Sequence, residues 1–300
     1  MLDNRAERRS NPTKVRRGTS TGGVLPNFLL IGAMKAGTDS LYRYLGSHPD
    51  IFMSRIKELD FFAAELNWGL GAVWYRSHFD GGQRAPAVGE ASTSYSKFPD
   101  YGGVPARIAA HLPDVRIIYL VRHPIERMRS HYLHWRLIGR EDRSLERALL
   151  ERPQYLDWSR YGMQLAQYLD YFPPGSLLVI PSESLRAARR GTLERVFTFL
   201  GVDPTWSSPE LDTEFHRTAE KRALRPIFNR LRTLPGYGLM GRVVPPRVKE
   251  ATLRLRTSGV DPREALVTAG LRDQLEDRLR EDIRRLRNFL GDSFDGWGIA

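Results

Sequence analysis

Residues 28–45, FLLIGAMKAGTDSLYRYL, most constrain what this chain can fold into. Phe28–Ile31 is an apolar run with the length and composition of a buried strand, and Thr38–Leu45 has the pattern of a helix. Gly32 and Gly37 frame the loop between them. Such a loop turns tightly enough for the N–H groups opening the next helix to converge on an anion. Loops that hold a nucleoside triphosphate place a lysine directly after the second glycine, then a Ser/Thr for Mg²⁺. Here Thr38 follows Gly37, and the lysine, Lys35, lies inside the loop. The spacing suits a phosphate without the usual metal-bound triphosphate tail.

The same rhythm continues along the chain. Strands are expected at Ala87–Gly89, running into Glu90, at Val115–Val121 and at Leu177–Pro181. Helices are expected at Val104–His111, Ile125–Leu137, Thr192–Leu200 and Arg272–Leu290. Strands alternating with helices predict an α/β fold, a central parallel sheet flanked by helices on both faces. Ligands of such sheets sit beyond the carboxyl ends of the strands. With 300 residues, 41% hydrophobic and 27% charged, one domain with elaborations is expected over residues 25–300.

Residues 1–24 read as a flexible basic arm with no apolar stretch behind it, so a cytoplasmic location is the expectation. The absence of cysteine excludes disulfides and thiolate metal sites. A net charge of +11 calls for an anionic partner without choosing among nucleic acid, lipid headgroups and a polyanionic small molecule. Residues 224–265 form a basic insertion, and from His216 to Arg256 eleven Lys/Arg face two acids. Within it Leu224, Ile227, Phe228, Leu231 and Leu234 recur at helical spacing. Two readings of that helix stand: a core-packed helix with a solvated basic face, or peripheral contact of 224–256 with the inner face of a membrane.

A second constellation is Arg122-His123-Pro124, then Arg127, Ser130 and Tyr132. Arg122 ends a buried strand, where its planar fork suits a phosphate dianion, and Ser130 adds a hydroxyl from the following helix. Arg127 reads as a structural ion-pair residue. A third is Lys57-Glu58-Leu59-Asp60-Phe61-Phe62, and a fourth is Glu90-Ala91-Ser92-Thr93-Ser94-Tyr95. Together with the G-x-x-K-x-G-T loop, these segments resemble the sulfotransferases that use 3′-phosphoadenylyl sulfate (PAPS). The likeness is to bacterial-type members and to the heparan sulfate and carbohydrate enzymes. It runs from about residue 26 to the C-terminus, through Tyr161–Pro173 and the closing FLGDSFDGW, and is weakest over 224–265.

That resemblance implies a single P-loop-like domain and transfer of a sulfuryl group from PAPS to a hydroxyl of a carbohydrate or glycolipid, with adenosine 3′,5′-bisphosphate as product and no metal. It implies that Lys35, Ala36, Gly37, Thr38, Asp39 and Ser40 hold the 5′-phosphate, and that Arg122 and Ser130 hold the 3′-phosphate. Lys221 and Arg222 fall where relatives fold a basic loop over the nucleotide. Lys35 and Glu58 are the implied catalytic residues, Glu58 as general base. Two departures stand out. Ala91 replaces a lysine, and Asp39 places a carboxylate where relatives have Ser or Thr, pointing away from the anion as a helix cap. Ser92 and Tyr95 are further pocket candidates, and Trp68, Trp74, Tyr75 and Trp135 could stack on a sugar. A P-loop kinase or NTPase is the first rival, disfavoured because no lysine follows Gly37. A nucleic-acid binder is the second, and no recognisable binding module supports it.

Overall fold

In the computed structural model, residues 24–213 and 265–300 are described, together with the backbone of 223–224 and 257–258. Five parallel strands form one sheet in the order β2-β3-β1-β4-β5. They are β1 (Phe28–Leu30), β2 (Ile51–Met53), β3 (Ala87–Ala91), β4 (Arg116–Val121) and β5 (Leu177–Pro181). Phe28 is level with Gly89 of β3 on one side and Arg116 of β4 on the other. All of β1 and β3 and nearly all of β4 is buried. That explains why β1 and β4 read as nearly continuous apolar runs instead of alternating ones. The expected α/β architecture is the one observed, with strand ends within a residue or two of those read from the sequence.

From β1 the chain runs to β2 at the sheet edge, comes back as β3 beside β1, and then crosses to the other side of β1 as β4. Parallel sheets open a crevice at such a reversal, beyond the carboxyl end of the central strand. Around the sheet lie α1 (Thr38–Ser47), α2 (Gly71–Ser77), α3 (Val104–His111), α4 (Pro124–Leu137), α5 (Leu145–Glu151), α6 (Pro153–Asp157), α7 (Tyr161–Leu169), α8 (Ser182–Ala187), α9 (Arg189–Leu200) and α10 (Ala269–Leu290). Helix α10 buries Leu271, Leu275, Leu279, Ile283 and Leu286, the stripe expected of a core-covering helix. Its Asp282 also accepts from the N–H groups of Gly162 (2.9 Å) and Met163 (2.7 Å), so a carboxylate from α10 caps the start of α7.

Strand β3 carries a buried acid. Glu90 accepts from Tyr75 Oη at 2.8 Å, Tyr95 Oη at 2.7 Å and Ser92 Oγ at 3.1 Å. Burial outweighs these three donors and pushes its carboxyl up to about 7. A carboxyl raised in the folded state from an unfolded value near 4.5 binds its proton more tightly when folded. Stability therefore falls as pH rises from about 4.5 to about 7 and is flat above, a cost on the order of 3 kcal/mol. Glu90→Gln keeps an acceptor for both tyrosines and is expected to raise stability at pH 8 by about 1–3 kcal/mol, with little change at pH 4.5. Urea unfolding at the two pH values checks this.

Residues 1–23, most of the basic insertion and the pair Lys221 and Arg222 lie outside the described residues. Leu224, at the head of the expected amphipathic helix, is instead in a two-residue antiparallel ladder, Ala223 opposite Ser258.

Candidate active site

An open cleft of roughly 570 Å³ lies at the crevice, within the range of small-molecule sites. One wall is the loop after β1. Gly37, at φ 108°, is the N-cap of α1 and no side chain caps that helix. A residue with a Cβ disfavours this backbone conformation. A helix start leaves N–H groups without intrahelical partners, although that of Ser40 already bonds the Gly37 carbonyl at 3.0 Å. Lys35, Gly37, Thr38, Asp39 and Ser40 all line the cleft. Gly32 serves a different purpose. A Cβ there would lie 2.0 Å from Ser96 Oγ, so its absence lets the turn after β3 close against the loop.

The adjoining wall comes from β4 and α4. Arg122 ends β4, Pro124 opens α4, and Ser130 stands on its second turn facing the cleft. Arg122 is half-buried. Its Nη1 donates to the Lys35 carbonyl at 3.3 Å, and its Nε is buried without a partner among the described residues. Burial, then the neighbouring Arg186, lowers its pKa. A guanidinium with an unanswered donor beside a second guanidinium is a site prepared for an anion.

Acids close the third side. Glu58, at φ 61°, is pinned to the end of β3 by its N–H on the Ala91 carbonyl (2.8 Å). Its Oε2 accepts from Thr93 N (2.7 Å) and Thr93 Oγ1 (3.0 Å), while Oε1 takes Lys57 Nζ at 2.5 Å. Asp60, at φ 51°, accepts from Ser94 Oγ and donates its own N–H to Ser92 Oγ at 2.9 Å. Burial raises the Asp60 carboxyl, with Glu58 adding to the effect and the Ser94 bond opposing it.

Several expectations need correction. Ala36 does not face the cleft. It is 1% exposed in the core, and its N–H is already bonded to the Ala33 carbonyl at 3.0 Å. Asp39 is no helix cap. It pairs with Lys57 at 2.9 Å, so the carboxylate beside the anion loop is answered by a lysine from the Lys57-Glu58 segment. Burial draws the Lys57 ammonium down, but Glu58 and Asp39 outweigh it and its pKa is raised. Arg127 is structural and, among the described residues, makes no ion pair. Fully buried, it donates to Ser159 Oγ (2.6 Å) and the Tyr155 carbonyl (2.7 Å), with His131 Nδ1 at 3.5 Å. Ser92 and Tyr95 belong to the buried Glu90 network, and Tyr75 and Trp135 are core. Trp68 and Trp74 are half-buried against the core.

The cleft also holds Thr93, named in the sequence only within its segment, and Lys97, His134 and Arg186, which were not singled out. Two signals could have found part of this set. Arg186 follows the carboxyl end of β5, and His134 sits one turn after Ser130 on the same helix face.

Comparison with known proteins agrees with this architecture. Residues 68–208 match the model of the sulfotransferase family. The chain is 30% identical over 209 residues to a bovine bifunctional heparan sulfate N-deacetylase/N-sulfotransferase 2, covering 60% of this chain and 22% of that protein. Human N-deacetylase/N-sulfotransferase 3 is 30% identical over 212 residues, covering 62% and 23%. The chain thus spans about a fifth of the length of these relatives. Among solved structures, a sulfotransferase from Alicyclobacillus acidocaldarius superposes with a TM-score of 0.66 at 24% identity over 92% of this chain and 99% of the other. Mouse sulfotransferase SULT7A1, solved with PAP, gives 0.51 at 15% identity over 91% and 87%. The resemblance to PAPS-dependent sulfotransferases is borne out at the level of the family, and the P-loop-like fold is shared with these structures.

Proposed function

We propose that the cleft binds PAPS and transfers its sulfuryl group to a hydroxyl of a carbohydrate or glycolipid acceptor. One observation carries this reading. The uncapped start of α1, the unanswered Nε of Arg122, the Ser130 hydroxyl and the Glu58 carboxylate all meet in one cleft. Two groups of anion donors and a carboxylate in one cleft fit a nucleotide bearing phosphates at both ends of its ribose.

In this account, the first turn of α1 and Lys35 hold the 5′-phosphate and Arg122 and Ser130 the 3′-phosphate. The acceptor oxygen attacks sulfur, and the bond from sulfur to the bridging phosphate oxygen breaks. Adenosine 3′,5′-bisphosphate leaves with that electron pair, and the acceptor proton passes to Glu58. The protein supplies position and charge, much as in phosphoryl transfer.

The relatives' names include N-sulfotransferase, so an amine acceptor is the second reading. Incubation with ³⁵S-labelled PAPS and glycan or glycolipid fractions separates the two. Label that survives mild acid on the acceptor is the expected result. Acid-labile label would indicate a sulfamate and replace the hydroxyl by an amine. Absence of transfer to any fraction, with the donor bound, would remove carbohydrate as the acceptor class.

A further inference from the structure

The resemblance implies a lysine where β3 ends in Ala91, and the chain returns one to the cleft six residues later. Strand β3 ends at Ala91, and a single 3₁₀ turn, Thr93–Ser96, follows it. Ser96 Oγ donates to the Ile31 carbonyl at 2.8 Å, which fixes the turn to the start of the phosphate loop. On the other side Gln164 grips residue 98 twice, accepting from Phe98 N (2.9 Å) and donating to the Phe98 carbonyl (2.7 Å). Lys97 lies between these two anchors. Its side chain lines the cleft, with Nζ 4.8 Å from the centre of the Trp158 ring.

Among the described residues its ammonium makes no hydrogen bond or ion pair. The opposing charges acting on it are those of Glu58 and Asp60, while burial lowers its pKa and Arg127 and Lys57 add to that effect. A partly buried ammonium without a counter-ion at bonding distance is costly unless an anion arrives to share it. The base of a sulfuryl transfer must stand by the acceptor oxygen, in line with sulfur. Lys97 lines the same cleft as Glu58, Asp60 and Thr93, delivered there by the turn that also carries Thr93.

We infer that Lys97 takes the place of the lysine lost at Ala91 and binds the non-bridging oxygens of the transferring sulfuryl group. This rests on the sulfotransferase reading. The ammonium would stabilise charge on those oxygens as the bond to the phosphate breaks. It would contribute little to holding the nucleotide phosphates.

Equilibrium titration of the purified chain with PAPS and, separately, with adenosine 3′,5′-bisphosphate tests this in the absence of acceptor. Lys97→Met keeps the length and apolar stem that cover Trp158. It is expected to weaken PAPS about tenfold while bisphosphate binding stays within about twofold, a factor of ten corresponding to about 1.4 kcal/mol. Lys97→Gln, a polar neutral variant, should behave the same way and serves if the methionine variant fails to fold. Equal effects on the two ligands, or none on either, would overturn the assignment of Lys97 while leaving the donor reading intact. If the unaltered protein binds neither nucleotide, the donor reading fails and this inference falls with it.

Discussion

Arg122→Ala is expected to weaken binding of adenosine 3′,5′-bisphosphate by roughly a hundredfold to a thousandfold. Charge-assisted hydrogen bonds contribute about 1.5–3 kcal/mol each, and the guanidinium can direct two of them at one phosphate. In the absence of ligand, Arg122 is poorly satisfied. Among the described residues its Nε has no partner, its Nη1 makes one long bond to the Lys35 carbonyl, and Glu126 Oε2 is 4.0 Å away. Removing it therefore costs the fold little, and the thermal midpoint of the free protein should move by no more than a few degrees. Arg122→Lys retains the charge without the planar fork and should fall between the two. Calorimetric titration reads all three proteins. A Kd for the alanine variant within about threefold of the unaltered protein would place the 3′-phosphate elsewhere.

Glu58→Gln is expected to have the second large effect, this time on turnover alone. A positioned general base is worth about 10²–10⁴-fold in rate. Glutamine keeps an oxygen for Thr93 N and Thr93 Oγ1, and Lys57 retains Asp39 as its partner. The walls of the cleft are thus preserved, and the bisphosphate should bind as before. Loss of kcat with an unchanged nucleotide Kd is the predicted signature. Full activity in this variant would remove Glu58 from the base role and turn attention to Asp60, whose carboxyl is raised by burial.

Most of the sheet was legible from sequence because its strands are buried on both faces and read as uninterrupted apolar runs. Leu177–Pro181 and Val104–His111 were found at their observed bounds. Strand β2 was not, since three residues, Ile51–Met53, carry too little pattern to separate from a loop. The cleft was legible where a motif ties residue type to backbone geometry, as at Gly37, Arg122 and Ser130. It was not legible where the chain brings distant segments together. Asp39 looked unfavourable beside an anion because its partner, Lys57, comes from the segment leading out of β2. Lys97 was invisible because a 3₁₀ turn, and not a strand end, delivers it. Arg127 was misjudged as an ion pair because sequence shows charge but not the neutral acceptors, Ser159 and the Tyr155 carbonyl, that satisfy it.

The central claim is that this cleft is built for a nucleotide with two separate phosphates and not for a metal-bound triphosphate. Thermal unfolding with adenosine 3′,5′-bisphosphate and with ATP–Mg²⁺, each in a separate titration, tests it most directly. At a ligand concentration a hundredfold above Kd the stabilisation is about 2.7 kcal/mol, readily seen as a rise in Tm. The account predicts that rise with the bisphosphate in the absence of metal, and its loss in Arg122→Ala. Stabilisation by ATP–Mg²⁺ alone, with no response to the bisphosphate, would contradict it.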